Sequence, residues 1–184
     1  MATQLYFTRH GQTVWNVENK ICGITDSPLT DQGRQQARAL ARQLEADSHG
    51  ITRILCSPLS RARETAEIVA AGTGLPLTVE PRLREQAFGR YEGTPRNGAA
   101  FALAKLHFAD RFEGGESMFQ LAARIYNLLE ELAESDGTAL LVAHNGIARM
   151  VHSYFNEMTN EEFALFGIGN CALIGYDFPE KRGF

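Results

Sequence analysis

Short strand-like runs alternate with amphipathic helical stretches along this chain of 184 residues, and this alternation limits its fold more than any other feature. Between the strand-like runs, apolar residues recur at helical spacing. The pattern predicts an α/β fold in three layers, with a mostly parallel central sheet and helices on both faces. The length suits a single domain over residues 1–184. The apolar runs typical of strands lie at 5–7, 51–55, 76–79, 139–143 and 172–176.

Local signals predict several element boundaries. One helix is predicted to begin near Thr30. Ser57-Pro58 predicts a second helix start, with Ser57 as the N-cap and Pro58 at the first helical position. Ser117 and Gln120 have the spacing of a capping box ahead of a third helix. The segment 95–110 is also predicted to be helical, and the last strand-like run is a candidate for an antiparallel edge strand.

Composition excludes several classes of protein. The formal net charge of −4 argues against a nucleic-acid binder, since such proteins present basic faces to phosphate backbones. No apolar stretch is long enough to span a bilayer, and the N-terminus lacks a signal-peptide pattern. Cys22, Cys56 and Cys171 are odd in number and far apart, which predicts a reducing compartment without disulfides. We expect a cytoplasmic enzyme, monomer or homodimer, that binds neither nucleic acid nor membranes.

Three predicted strands end in groups that suit a phosphoryl ligand. Arg9 and His10 follow the first strand, the helix containing Arg61 follows the second, and His144 follows the run at 139–143. Binding sites of open α/β sheets collect at the carboxyl ends of the strands. Arginine binds phosphate oxygens through paired hydrogen bonds, an imidazole nitrogen can attack phosphorus, and a helix N-terminus attracts anions. Two arginines and two histidines together suit a phosphoryl group better than a core.

Each of these residues could also have a structural role that involves no ligand. Arg61 alone is typical of a solvated helical side chain, and His144 of a hydrogen-bonded structural imidazole. Two histidines raise the alternative of a metal site, but no ligands have the spacing typical of one. Glu85 in isolation is typical of an exposed loop. Beside a bound phosphate dianion its carboxyl pKa would rise, however, and it could then protonate a leaving alkoxide.

A series of short motifs runs through the chain in a fixed order. They are Arg9-His10-Gly11-Gln12-Thr13, Trp15-Asn16, Gly23, Asp26-Ser27-Pro28-Leu29-Thr30, Ser57-Pro58-Leu59-Ser60-Arg61-Ala62, Glu64-Thr65-Ala66, Glu85, Phe88-Gly89, Glu92-Gly93, Gly115-Glu116-Ser117 and His144-Asn145-Gly146. In this order they resemble the histidine phosphatases of the phosphoglycerate-mutase-like superfamily, from Leu5 to about Tyr176. The resemblance implies a three-layer fold with a small helical cap insertion at about 90–115, and no metal ion or cofactor.

The resemblance also implies a role for each matching residue. His10 would be the nucleophile that forms a phosphohistidine, and Glu85 the proton donor to the leaving group. His10 must be neutral at its attacking nitrogen, so we expect its other ring nitrogen to donate to a backbone carbonyl. The residues implied to hold the phosphoryl oxygens or contact the phosphate are Arg9, Arg61, His144, Asn16 and, through its backbone, Gly23.

Two positions depart from or vary within the family pattern. Asn145 stands where many relatives have glycine after the second histidine, which places an amide near the substrate. Cys22, before Gly23, is a variable pocket position that would be sensitive to oxidation if its thiol pKa were lowered. Aromatic residues predicted to surround the mouth of the pocket are Trp15, Phe88, Tyr91 and Phe108, of which Phe108 is also a candidate for the core.

The remaining question is which reaction the chain performs. The segment between Glu85 and Gly114 is shorter than that of cofactor-dependent mutases, and Phe88 to Gly93 resembles the phosphatase branch. A mutase must retain its intermediate and exclude water, which a short cap makes harder. We therefore expect a metal-independent phosphomonoesterase acting on small phosphorylated metabolites, with a phosphoglycerate mutase as the alternative. The joint presence of the candidate catalytic residues disfavours an inactive module that only binds phosphorylated ligands.

Overall fold

A five-stranded sheet forms the centre of the computed structural model, which describes residues 4–178. Its strands lie in the order β3-β2-β4-β1-β5. Strand β5 runs antiparallel to β1 at one edge, whereas the other neighbouring pairs are parallel. The predicted α/β class, the mostly parallel sheet and the antiparallel edge strand are therefore confirmed. The strands are β1 (Gln4–Arg9), β2 (Ile51–Cys56), β3 (Leu77–Val79), β4 (Thr138–Ala143) and β5 (Leu173–Asp177).

Helices cover both faces of this sheet. The predicted helix start at Thr30 is confirmed, since its side chain caps the helix by accepting from the N–H of Gly33. The capping box of Ser117 and Gln120 is confirmed as well. No helix within residues 4–178 is long and apolar enough to cross a membrane. The helices are α1 (Val14–Val17), α2 (Asp31–Ala46), α3 (Ser60–Thr73), α4 (Ala99–Ala104), α5 (Met118–Glu134), α6 (Asn145–Phe155) and α7 (Asn160–Leu165).

The central strand β4 shows how the two cores form. Its side chains alternate between the faces of the sheet, as in any strand. Leu141 joins the apolar core that includes residues of α5 and α6. Leu140 and Val142 join the second core, with residues of α2 and α3. All three are completely buried, which is why this strand is apolar throughout rather than alternating.

Two predicted helix boundaries are wrong. Helix α3 begins at Ser60, and its N-cap is Leu59, which makes no side-chain cap hydrogen bond. Ser57 lies ahead of the helix, where its hydroxyl oxygen accepts from the N–H of Leu59 at 3.3 Å and lies 2.7 Å from a ring nitrogen of His144. The segment 95–110 is helical only over α4. Gly98 precedes that helix as its N-cap, and turns with hydrogen bonds to the third preceding residue follow it.

The carboxyl ends of the parallel strands lie together at one edge of the sheet. Arg9 at the end of β1 pairs with Ala143 at the end of β4, and Cys56 of β2 pairs with Val142. The N–H of His10 then donates to the carbonyl of Ala143 at 3.0 Å. Gly11 must be glycine, because a Cβ there would overlap the carbonyl of Gly33 on α2. The strand order thus gathers the three polar segments that follow β1, β2 and β4.

Candidate active site

A cavity of about 130 Å³ opens where these strand ends meet. Its lining includes six of the residues predicted from the sequence: Arg9, His10, Asn16, Cys22, Glu85 and Asn145. Arg61 and His144 are almost wholly buried nearby, with exposed fractions of 1% and 0%. The structure therefore gathers side chains from segments far apart in the sequence around one small space.

His10 is held as a neutral imidazole. Its Nδ1 lies 2.7 Å from the carbonyl oxygen of Gly11. A carbonyl only accepts, so Nδ1 carries the proton and Nε2 keeps a free lone pair. Burial, followed by the charges of Arg61 and Arg9, holds the pKa of His10 well below its ordinary value. The expected hydrogen bond to a backbone carbonyl is confirmed, and Nε2 is the nitrogen available to attack.

His144 faces His10 from the end of β4. The two ring centroids are 5.2 Å apart, and the ring of His144 is completely buried. Its Nε2 lies 2.7 Å from the hydroxyl of Ser57. Burial, then the charge of Arg61, holds the pKa of His144 well below its ordinary value. The Ser57 oxygen accepts from the N–H of Leu59, so its hydroxyl proton is donated to Nε2 of His144. Nδ1 of His144 then carries the proton and is left to donate to a ligand.

Arg9 and Arg61 are held in place by backbone carbonyls. Arg9 donates from Nη1 to Ile168 at 3.1 Å. Arg61 donates from Nη1 to Thr25 at 3.0 Å and from Nη2 to Gly23 at 2.7 Å. Burial, then the charge of Arg96, lowers the pKa of Arg9 to about 10, so it remains a cation at neutral pH.

Three buried polar atoms lack any hydrogen-bond partner, and all three belong to this site. They are Nε of Arg9, Nε of Arg61 and Nδ1 of His144, and no other buried side-chain nitrogen or oxygen of residues 4–178 is unpaired. Buried polar groups are nearly always paired in folded proteins. An anion with several acceptor oxygens would satisfy these donors together.

The side chain of Glu85 is buried, with an exposed fraction of 5%, and its carboxyl group lies between two backbone N–H donors. Its Oε1 accepts from the N–H of Gln86 at 2.9 Å, and its Oε2 accepts from the N–H of Gly146 at 3.0 Å. A Cβ at position 146 would overlap Glu85 Oε1, so only glycine allows this close approach. The start of α6 therefore orients the carboxyl group that lines the cavity.

Asn16 and Asn145 each use the side-chain oxygen to hold the backbone. Asn16 Oδ1 accepts from the N–H of Thr13 at 3.1 Å, as part of the capping box of α1. Asn145 Oδ1 accepts from the N–H of Ile168 at 3.0 Å. Among the residues the structure describes, neither amide nitrogen has a hydrogen-bond partner. Both amides line the cavity and so present donors to its contents.

Gly23 lies outside the cavity lining, whereas Cys22 lines the cavity as predicted but does not meet the condition for oxidation sensitivity. Gly23 is not among the lining residues, and its carbonyl instead holds Arg61. A Cβ at Gly23 would overlap the carbonyl of Gln86, so the chain needs glycine there. Burial raises the pKa of the Cys22 thiol, and its Sγ lies 3.2 Å from the carbonyl of Thr25. This shift is opposite to the one that oxidation sensitivity requires.

A sequence model of the histidine phosphatase superfamily (branch 1) matches residues 5–184. The chain belongs to this superfamily. The probable phosphoglycerate mutase GpmB of Escherichia fergusonii is 38% identical over 191 residues, covering 97% of this chain and 86% of the relative. The protein of the same name from Yersinia pestis (strain Pestoides F) is 32% identical over 187 residues, with the same coverage. The resemblance in the sequence motifs is therefore confirmed.

Solved histidine phosphatase structures share this fold. A mycobacterial glucosyl-3-phosphoglycerate phosphatase in complex with VO3 superimposes with a TM-score of 0.82 at 32% identity, covering 95% of this chain and 92% of that one. The alpha-ribazole phosphatase of Shigella flexneri superimposes with a TM-score of 0.82 at 26% identity, covering 97% and 92%. The three-layer architecture is thus that of the superfamily.

Other residues of this superfamily member line the cavity without having been predicted. Arg149 lies four residues after Asn145 on α6, and that spacing places both on one helix face. Helical periodicity was therefore a usable signal for Arg149. Phe88 was predicted and lines the mouth, whereas Phe108 packs against Phe163 in the core. The remaining unpredicted lining residues are Ile21, Arg96, Phe101, Lys105 and Gly146.

The two neutral histidines predict how stability varies with pH. In the unfolded chain each takes up a proton below about pH 6.5, but burial keeps both neutral in the folded state. We expect the free energy of unfolding to fall as pH drops below 6.5, by up to about 1.4 kcal/mol per histidine and pH unit. Urea denaturation at pH 7.5, 6.5 and 5.5 measures this slope.

A variant isolates the contribution of one ring. His144→Gln removes one titrating group, so its unfolding free energy should depend less steeply on pH than that of the wild type. Its absolute stability is irrelevant to this comparison, because the slope alone is read. Equal slopes in both proteins would show that His144 does not titrate differently between folded and unfolded states.

Proposed function

We propose that this protein is a metal-independent phosphomonoesterase, which hydrolyses small phosphorylated metabolites through a phosphohistidine on His10. The observation that carries the proposal is the set of unpaired buried donors on Arg9, Arg61 and His144, beside an imidazole held neutral. A phosphoryl group supplies the acceptors that these donors lack. The phosphatases among the solved structures support this assignment.

In the first step, the lone pair of His10 Nε2 forms a bond to phosphorus. The phosphorus–oxygen ester bond breaks, its electrons stay on the leaving oxygen, and that oxygen takes the proton of the Glu85 carboxyl group. In the second step, a water molecule gives a proton to the Glu85 carboxylate and attacks phosphorus. The phosphorus–nitrogen bond breaks, its electrons return to Nε2, and both His10 and Glu85 regain their starting states.

The surrounding cations lower the barrier by neutralising charge on the phosphoryl oxygens. Their hydrogen bonds to backbone carbonyls hold Arg9 and Arg61 before a substrate arrives. Oriented donors in a buried site stabilise a transition state strongly, because they need no rearrangement during the reaction. Phosphoryl transfer depends mainly on such positioning and charge stabilisation.

A phosphoglycerate mutase is the second candidate, because curated relatives at 32% and 38% identity carry that name. The two reactions share the phosphohistidine and differ in what receives the phosphoryl group. We favour water as the acceptor, since the segment after Glu85 is short. The cavity of about 130 Å³ is also smaller than the roughly 300–1,000 Å³ typical of drug-sized ligands, which favours a compact substrate.

The test combines trapping with product analysis. The protein is mixed with phosphate-labelled substrate and quenched in alkali, in which phosphohistidine survives, and the labelled residue is located by mass spectrometry. A label on His10 with release of inorganic phosphate supports the phosphatase. Conversion of 3-phosphoglycerate to 2-phosphoglycerate that outpaces phosphate release would instead support the mutase. Neither label nor product across a panel of phosphomonoesters would refute both.

We expect activity to be independent of metal ions. Arg9, Arg61 and His144 already supply donors for the phosphoryl oxygens. The prediction is checked by dialysing the protein against EDTA and assaying p-nitrophenyl phosphate hydrolysis, with an undialysed sample as control. Activity that disappears on dialysis and returns with a divalent cation would contradict it.

A further inference from the structure

The cavity carries more positive charge than one phosphoryl group requires. Besides Arg9, its lining includes three further cationic side chains: Arg96, Lys105 and Arg149. Glu85 is the only acidic residue in that lining. The proposed hydrolysis uses Arg9 and Arg61 at the phosphoryl group and leaves these three cations without a role.

Arg96 and Arg149 are anchored in a way that leaves their terminal nitrogens free. Arg96 donates from Nε to the carbonyl of Lys20 at 2.9 Å, and Arg149 donates from Nε to the carbonyl of Phe166 at 2.8 Å. Within residues 4–178 neither makes another hydrogen bond or a salt bridge. Both guanidinium groups therefore keep the pair of N–H donors that binds a carboxylate or phosphate.

Several arginines elsewhere in the protein have carboxylate partners. Arg82 pairs with Glu80 at 2.9 Å and with Glu131 at 2.8 Å. Arg124 pairs with Glu116 at 2.9 Å. Arg96 and Arg149 differ from these two arginines, because neither forms a salt bridge with a carboxylate within residues 4–178.

These cations also act on one another. Burial lowers the pKa of Arg96 and that of Arg149, and the charge of Glu85 opposes both shifts. The charge of Arg61 lowers the pKa of Arg96 further, and the charge of Arg96 does the same to Arg149. Burial and then Arg149 lower the pKa of Lys105. These cationic side chains are therefore near enough to repel one another. An anion between them would remove that repulsion.

An apolar wall completes this part of the cavity. Phe88 and Phe101 line it, with ring centroids 5.3 Å apart in an edge-to-face arrangement. Lys105 Nζ lies 5.1 Å from the centroid of the Phe101 ring, which holds the ammonium group beside the wall. The wall would contact the carbon skeleton of a substrate while the cations bind its charged end.

We propose that Arg96, Lys105 and Arg149 form a second anion subsite, and that the substrate is a compact phosphomonoester with a carboxylate or a second phosphate on its leaving group. This inference rests on the proposed hydrolysis for its kinetic readout. An uncharged leaving group would leave the cations uncompensated. A second anion would pair with them and draw the substrate into line with His10.

Two matched substrate pairs test the subsite. 3-Phosphoglycerate differs from glycerol 3-phosphate in a carboxylate that replaces a hydroxymethyl group. Glucose 1,6-bisphosphate differs from glucose 6-phosphate in a second phosphate. We expect kcat/KM for the more anionic member of at least one pair to exceed its partner's by about tenfold or more, since each such pairing contributes roughly 1.5–3 kcal/mol. The pair that shows the preference identifies the anion.

Variants attribute the preference to named residues. Arg149→Gln and Arg96→Gln should each reduce it by about tenfold, and Arg149→Lys should restore part of it, because the charge is retained without the paired donors. A merely structural role would lower kcat/KM for both members of a pair equally. Arg42→Gln, on the exposed side of α2, serves as the matched control and should leave the preference unchanged.

Binding to the His10→Ala protein provides a readout that does not depend on turnover. If p-nitrophenyl phosphate is hydrolysed but neither pair shows a preference in kcat/KM or in affinity, the subsite is refuted and the hydrolase stands. If nothing is hydrolysed yet the more anionic members bind more tightly, the proposed function fails and the subsite stands. Equal affinity within both pairs overturns the subsite in every case.

Discussion

Replacing His10 with alanine should reduce hydrolysis of p-nitrophenyl phosphate by at least about a thousandfold, because loss of a nucleophile removes the covalent pathway. The structure strengthens this expectation. His10 Nδ1 is committed to the carbonyl of Gly11, so Nε2 is the available nucleophile. His144 is poorly placed to substitute, since Ser57 occupies its Nε2 and the proton on its Nδ1 leaves no free lone pair there. Steady-state rates at saturating and at low substrate measure the loss.

A folded control separates lost chemistry from lost structure. The variant should keep the far-ultraviolet circular dichroism and a cooperative thermal transition. His107→Ala is the matched control, because His107 is exposed and does not line the cavity. It should retain wild-type rates. A His10→Ala protein that is folded and keeps more than about one per cent of the activity would show that another group attacks phosphorus.

The Glu85→Gln variant should lose activity according to the leaving group. An alkyl alkoxide needs a proton as it departs, whereas p-nitrophenolate is a stable anion and hardly does. We expect kcat/KM to fall by about a hundredfold or more on an alkyl phosphate, and by less than about tenfold on p-nitrophenyl phosphate. General acid catalysis contributes on that order.

The geometry explains why the ratio of the two losses is the proper measurement. Both carboxylate oxygens of Glu85 accept from backbone N–H groups, of Gln86 and Gly146. A glutamine amide would set its NH2 group against one of these donors, so the variant also disturbs the site. That disturbance affects both substrates alike and cancels in the ratio. Equal losses on both would mean that Glu85 positions the phosphate, with His144 the next candidate for the acid.

The sheet and most of the site could be predicted because their signals are local. A buried parallel strand has a continuous apolar run, and the residue after it lies at the edge where sites form. This places Arg9, His10 and His144 without any knowledge of long-range contacts. The edge strand β5 was predicted from an apolar run of the same kind, at 172–176.

The failures have a common physical cause. Ser57 has the sequence signature of a helix cap, but the helix begins three residues later, and the Ser57 hydroxyl contacts His144, 87 residues away. Arg96 and Lys105 reach the cavity from the segment 95–110. This segment was predicted to form one helix, but only the short α4 within it is helical. Tertiary contacts decide these positions, and short-range patterns do not encode such contacts.

The cavity draws its residues from two unlike parts of the chain. His10 and His144 lie where strands end, in backbone tied to the sheet, whereas Phe88, Arg96 and Lys105 come from the segment that leads to and includes α4. Changes in that segment would alter which leaving group is accepted without displacing the nucleophile. On the proposed function, such a division would allow the accepted substrate to change by remodelling one stretch of chain, while the groups proposed to act on phosphorus stay in place.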